Sequence, residues 1–307
     1  MPEPSVDPFT AATTLDPDGA VPGRYHGVVD DHWKLAVVPQ GGIVAAVAAR
    51  AMARELAAPE QPLRSFTAVF AGQVAVGPVE IDVQILRRGR SLSQLTTTVR
   101  NPGAAAGLTA VAVFGAVRPG FSFTDRPFPA GLDVPAAYPS MRDPWPDDVE
   151  PRRFDPMPFW EEVVETRFIT GHPPWEDYVP TSSEQLYWTR FDAPPIAGDG
   201  NLDPLGLLVL ADAMPGAVGE RMGNDSPPWF GPSADLTFHW FGHTRSDWLL
   251  VRNQARHAGD GYASVDAELW DPTSGTLVGY ATQQMIFAFA DEIPTGEQIY
   301  PVDQRRA

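Results

Sequence analysis

The sequence predicts an α+β fold made of two copies of one unit, a buried helix followed by an antiparallel meander. Three observations predict it: an apolar helical stretch that gives way to period-two strands, the same order again in the second half, and a proline-rich stretch between them. With 307 residues the chain is about twice the ~150 of an ordinary domain, which leaves room for both copies.

Residues 41–57 are rich in alanine and carry no charge before Arg50. A helix that is apolar all round is a buried one. In residues 79–86 the period changes, with Ile81, Val83 and Ile85 alternating with Glu80, Asp82 and Gln84, the pattern of a half-buried strand. Gly89 marks a turn, and residues 91–100 and 108–117 read as further strands around Asn101-Pro102-Gly103. The second copy has a helical stretch at 205–219 and strands at 235–242, 248–255, 262–270 and 277–289. Thr67 and Thr237, Gly72 and Gly242, and Gly89 and Gly259 are each 170 residues apart, and Leu108 and Leu277 are 169 apart. On the latter spacing Phe114 stands where the second copy has Gln283. Residues 119–158 hold ten prolines, a stiff and mostly extended linker. The expected units are an N-terminal domain at 1–118, the linker at 119–158, a C-terminal domain at 159–295 and a tail at 296–307.

Charge and composition exclude several classes of function. Lys and Arg number 22 against 39 Asp and Glu, a net charge of -17. That is the wrong sign for nucleic acid or an anionic membrane surface, so neither partner is expected. The absence of cysteine removes disulfides, thiolate metal sites and a thiol nucleophile. No cofactor or metal is expected: His239 and His243 sit on a strand with Gly242 between them and no further ligands in view. With no signal pattern and no apolar run of membrane length, a soluble cytoplasmic protein is the expectation.

Particular residues carry a family resemblance. Pro39-Gln40-Gly41-Gly42 leading into the first helix is followed by Gly77-Pro78-Val79 and Gly89-Arg90-Ser91. The second half has Ser233-Ala234-Asp235-Leu236-Thr237, then Asp247-Trp248-Leu249-Leu250, then Leu277-Val278 with Gln283. In order and approximate spacing, over about residues 25–290, these resemble the acyl-CoA thioesterase II family. The resemblance implies a double hotdog, two repeats each of an antiparallel sheet wrapped around a central helix, and hydrolysis of acyl-CoA. It also implies one hydrolytic site, in the second repeat: Asp212 on the helix, Ser233 before the next strand and Gln283 on the last strand, together holding a water against the thioester. Further association of such chains into a homo-oligomer is implied too.

Each of these residues also has a plainer reading. Asp212 lies three residues before Pro215 and so suits a helix cap. Ser233 suits a turn after Pro232, and Asp235 a charged strand start. Gln283 and Gln284 are adjacent on a strand, so only one of them faces inward. Gly41 and Gly42, with the Gly206 region as a counterpart, offer helix-start N–H groups as oxyanion donors. Arg87 and Arg88 at one hairpin are the candidates for CoA phosphates. Trp145, Trp160, Trp175 and Trp188 suit either an acyl channel or the packing of the linker. Two rival functions remain: a hotdog hydratase or dehydratase, for which His32 is the only histidine near the start of a helix, and a non-catalytic acyl-CoA or polyketide binding protein.

Overall fold

The computed structural model describes residues 6–35, 37–144, 146, 157–173, 176–223, 226–227 and 229–289. Within them one antiparallel sheet contains twelve strands. They are β1 (Asp16–Pro17), β2 (Arg24–Val29), β3 (Leu63–Phe70), β4 (Gly77–Arg87), β5 (Leu92–Arg100), β6 (Leu108–Gly115), β7 (Val164–Thr170), β8 (Glu184–Phe191), β9 (Asp235–Trp240), β10 (Leu249–Gly259), β11 (Tyr262–Asp271) and β12 (Thr276–Ile286), in the spatial order β1-β2-β4-β5-β6-β3-β9-β12-β11-β10-β8-β7. The order on one side of the β3–β9 junction repeats on the other. At the junction Thr67 pairs with Thr237, Val69 with Asp235 and Ser65 with His239, a register that reads the same in both directions. The Thr237 hydroxyl donates to the Thr67 hydroxyl at 3.1 Å across this centre.

A helix packs on each half. The short α1 (Pro8–Ala12) precedes β1, and α2 (Gly41–Leu56) lies against β4, β5 and β6. Eleven of the sixteen residues of α2 are buried, because α3 (Gly206–Ala211) covers the side that the sheet does not. Alanine suits that position, since a larger side chain would hold the two backbones apart. In the second half α4 (Pro215–Met222) packs on β8, β10 and β11. The sequence predicts one helix over 205–219, and here the structure differs: α3 and α4 are separate, broken at 212–214 with Asp212 at φ −83°, ψ 52°. Pro215 has no N–H to continue the ladder from α3 and instead occupies the first turn of α4, where none is needed.

The expected strands in both halves are present, while β1, β2, β3, β7 and β8 are not among those the sequence predicts. In β8 the reason is burial on both faces. Phe128, Leu132 and Tyr138 of the linker pack over Leu186, Trp188, Leu250 and Trp270 on the outer side of the second half, which erases the alternation a strand shows when one face is wet. The Arg126 guanidinium also reaches Glu268 at 3.0 Å. The expected tail at 296–307 lies outside the described residues.

The register also corrects the equivalence of Phe114 and Gln283. Leu95 faces Ala112 and Val265 faces Gln283, while Leu63 faces Phe114 and Ser233 faces Met285. Gln283 therefore corresponds to Ala112, and Phe114 to Met285. Leu108 faces Val99 and Gly279 faces Leu269, so Leu108 answers to Gly279 and not to Leu277; the bulge between Leu269 and Trp270 lies just before this stretch.

Candidate active site

The α3–α4 break carries Asp212 to the N-terminus of α2. There Gly42 N–H donates to Asp212 Oδ2 at 2.8 Å, and Gly41 N–H also favours the charged carboxylate. The expected cap is thus real in kind but belongs to the other repeat's helix: Asp212 ends α3, and α4 has no side-chain cap. A carboxylate at a helix N-terminus meets donors that have no partner within the helix. Gln283, 2% exposed on β12, donates from Nε2 to Asp212 Oδ1 at 2.6 Å and to Ser233 Oγ at 2.5 Å. The three residues expected from the resemblance therefore converge on one point, from α3, from the bridge before β9 and from β12. Gln283 Oε1 is buried and has no partner among the described residues, an acceptor left open. Gln284 faces the other way and accepts from Ser264 at 2.6 Å, while the Asp235 carboxylate accepts from Gln284 N–H at 2.7 Å.

Electrostatics at this point are opposed. Burial pushes the Asp212 carboxyl up from 3.8 to about 6, while donation from Gln283, Gly42, Ser233 and Gly41 favours the charged form. The group is therefore ionised at neutral pH and remains a competent proton acceptor.

Gln40 was quoted in the sequence motif without a role, and the structure gives it one. Fully buried, it accepts from Ile43 N–H at 3.0 Å and donates to the carbonyls of Val209 and Asp212 at 2.9 and 3.0 Å. It joins the start of α2 to the end of α3. Asn253 on β10 donates to Ala213 O at 3.1 Å and to the Tyr187 hydroxyl at 3.0 Å, which pins the break from the other side. A buried glutamine at a helix cap was the available signal for Gln40; nothing local marked Asn253.

Asp212, Ser233 and Gly41 open onto a cavity of about 1200 Å³, walled largely by apolar side chains such as Phe70, Val44, Phe168 and Trp229. Trp160 lines it, whereas Trp188 lies under the linker; Trp145 and Trp175 fall outside the described residues. Among the described residues no Lys or Arg lines this cavity. Arg88 instead donates to the carbonyls of Leu56 and Glu55 at the far end of α2, about 22 Å of helix from Gly41. Arg87 beside it is exposed, so neither arginine is brought to the Asp212 site. The helix starts are not free donors either: Gly41 and Gly42 serve Asp212, and Gly206 N–H serves Asp203 O. His32 is half exposed, beside Asp30 and Glu162, away from the cavity. Among the described residues no cluster of His, Asp and Glu has the form of a metal site.

Family models match the two halves separately: residues 29–115 match the acyl-CoA thioesterase N-terminal domain, and residues 135–287 match the acyl-CoA thioesterase C-terminal domain. The chain belongs to the acyl-CoA thioesterase II-like family. Solved structures agree on the fold. A conserved protein of unknown function with a hot dog fold from Alicyclobacillus acidocaldarius is 25% identical, with a TM-score of 0.73 over 92% of this chain and 99% of its own. The acyl-CoA thioesterase II TesB2 from Mycobacterium marinum is 20% identical, with a TM-score of 0.67 over 94% and 99%. The tesB protein of Mycobacterium avium subs paratuberculosis is 18% identical, with a TM-score of 0.67 over 91% and 98%. No curated protein matches the sequence. Among the described residues no helix of this family member is long and apolar enough to cross a membrane.

Proposed function

We propose that the chain is a double hotdog acyl-CoA thioesterase with one hydrolytic site, built from Asp212, Ser233 and Gln283. The observation that carries this reading is the convergence of three polar groups, two of them joined through Gln283 Nε2, on the rim of a large apolar cavity. Family membership supplies the substrate class.

In this reading the acyl chain enters the cavity and its thioester carbonyl stops beside Asp212. The Ser233 hydroxyl is the one donor on Asp212 that rotates freely, so it can turn away and leave an acceptor position to water. As the water oxygen attacks the carbonyl carbon, Asp212 takes its proton and Gln283 holds the geometry. Collapse breaks the carbon–sulfur bond, the proton passes to the departing thiolate, and free acid and CoA thiol result. The CoA phosphates then lie outside the mouth, since the cavity itself offers them no cation.

Thiol release from acyl-CoAs of graded length tests the reading, with Asp212→Asn alongside. The chain has no cysteine, so a thiol reagent sees only product. The expected result is release that falls at least about 100-fold in the variant, the scale of a lost general base. Undiminished release by Asp212→Asn would remove Asp212 from the chemistry, and tight acyl-CoA binding without release would favour a binding protein.

A further inference from the structure

The far end of the same cavity is not apolar. Pro215, Gly216, Gly219 and Glu220 of α4 all line it, so the cavity runs along one face of that helix from the Asp212 end to Glu220. Gly219 leaves open space beside the helix, while the missing side chain of Gly216 makes room for the Gln185 amide. Glu220 is 4% exposed and accepts from both the backbone N–H and the ring Nδ1 of His172, at 3.0 and 2.5 Å. Tyr178 stacks on the His172 ring at 3.7 Å and donates to the carbonyls of Gly219 and Glu220. The imidazole is thereby held on one side by a carboxylate and on one face by a ring, and both His172 and Tyr178 line the cavity.

Gln185 on β8 completes the group. It is 8% exposed, lines the cavity, and its side chain has no hydrogen-bond partner among the described residues. It sits beside the same carboxylate: a Cβ placed on Gly171 would lie 3.3 Å from Glu220 Oε2 and 3.4 Å from Gln185 Nε2. The Gln185 amide faces the cavity and is not sealed in the protein, so it offers one donor and one acceptor to whatever fills that end. Hydrolysis at Asp212 uses none of these groups.

We infer that His172, positioned by Glu220, and Gln185 form a polar subsite, and that the preferred acyl-CoA carries a hydroxyl toward the far end of its acyl chain. The inference rests on the acyl-CoA reading and specifies its substrate class. A hydroxyl both donates and accepts, which suits an imidazole whose Nδ1 is already committed together with an amide that offers one of each. Pro215 to Glu220 is about 7.5 Å along the helix axis, the reach of about six carbons of an extended chain. The hydroxyl therefore belongs near the end of a medium-length chain and not beside the thioester.

The test is thiol release from hexanoyl- and octanoyl-CoA and from their ω-hydroxy counterparts, with β-hydroxyoctanoyl-CoA as the control for position. The expected result is kcat/KM at least about tenfold higher for the ω-hydroxy member of a pair, reduced to parity in Gln185→Met, with no gain for the β-hydroxy compound. Gln185→Met keeps the His172–Glu220 pair and so leaves no buried carboxylate exposed to the cavity alone. Equal rates within each pair, or a preference that survives in Gln185→Met, would overturn the subsite. Should no substrate release thiol, the hydrolytic reading fails and calorimetric titration with the same pairs decides the subsite separately. Tenfold tighter binding of the ω-hydroxy member, lost in Gln185→Met, would then uphold it, and equal binding would overturn it. Loss of water from the β-hydroxy chain would also overturn it, because His172 and Glu220 would then be reacting groups.

Discussion

The two halves of the sheet have the same strand order and meet through a register that reads alike from either side, yet their corresponding positions differ in chemistry. Where the second half has Ser233 and Gln283, the first has Leu63 and Ala112, and opposite Asp212 it presents the backbone N–H of Gly42. The first half has apolar side chains at both strand positions, and it keeps an unbroken helix of sixteen residues where the second has a break and eight. The difference is a division of labour: an intact helix supplies N–H donors at its start, and a broken one supplies the carboxylate that receives them. The proposal of one site per pair of repeats rests on that difference.

The largest effect should come from removing the charge. Asp212→Asn is expected to abolish most hydrolysis and at the same time to stabilise the fold. Between pH 4 and 6 the native protein holds a proton that the unfolded chain has lost, so stability falls as pH rises through that window. Raising a carboxyl from 3.8 to about 6 corresponds to a cost on the order of 3 kcal/mol at neutral pH. Asn keeps an acceptor for Gly42, and its amide can face Gln283 Oε1. Denaturant unfolding at pH 7.5 should show a gain of about 1 kcal/mol or more, shrinking toward pH 4; a loss there would mean that the carboxylate is structural. In the wild type the rate should decline about tenfold per pH unit below about 6.

Next in size is making the second half resemble the first. Gln283→Ala reproduces the Ala112 position and should lower kcat by roughly 10- to 100-fold, within the range for a lost transition-state hydrogen bond, with KM nearly unchanged. An unaltered kcat would leave Gln283 a packing residue. A smaller effect is expected where the halves touch. A Cβ on Gly42 would lie 2.6 Å from Leu208 O, a backbone atom that cannot swing aside. Gly42→Ala should cost about 1–3 kcal/mol in thermal or denaturant unfolding and reduce turnover through displacement of Asp212. The smallest change is expected from Arg88→Glu, which loses two bonds to the end of α2 and should cost less than about 1 kcal/mol with KM for acyl-CoA unchanged. A salt-dependent rise in KM would instead return Arg88 to the CoA site.

How much was legible beforehand follows from local physics. Val79, Ile81 and their alternating neighbours announced a strand because one face is wet, and the alanines of α2 announced a buried helix because nothing charged interrupts them. β8 gave no such signal, since the linker covers its outer face and both of its faces are apolar. Asp212, Ser233 and Gln283 were found through the order of motifs and not through any local pattern, as each alone reads as a cap, a turn or a buried amide. Gln40, Asn253 and the His172–Glu220–Gln185 group went unseen because their partners lie far along the chain, 172 residues in the case of Gln40 and Asp212 O and 48 in that of His172 and Glu220.

The sequence by itself determined the duplicated α+β plan and the residue types available to the proposed hydrolysis, because periodicity and side-chain chemistry act over a few residues. Only the tertiary structure decided which donors meet Asp212, that Gln283 answers to Ala112 and not to Phe114, and that the cavity ends in polar groups. Those outcomes depend on strand register and on the approach of two helix ends, and a single bulge or a missing Cβ changes them without leaving a mark on local sequence pattern.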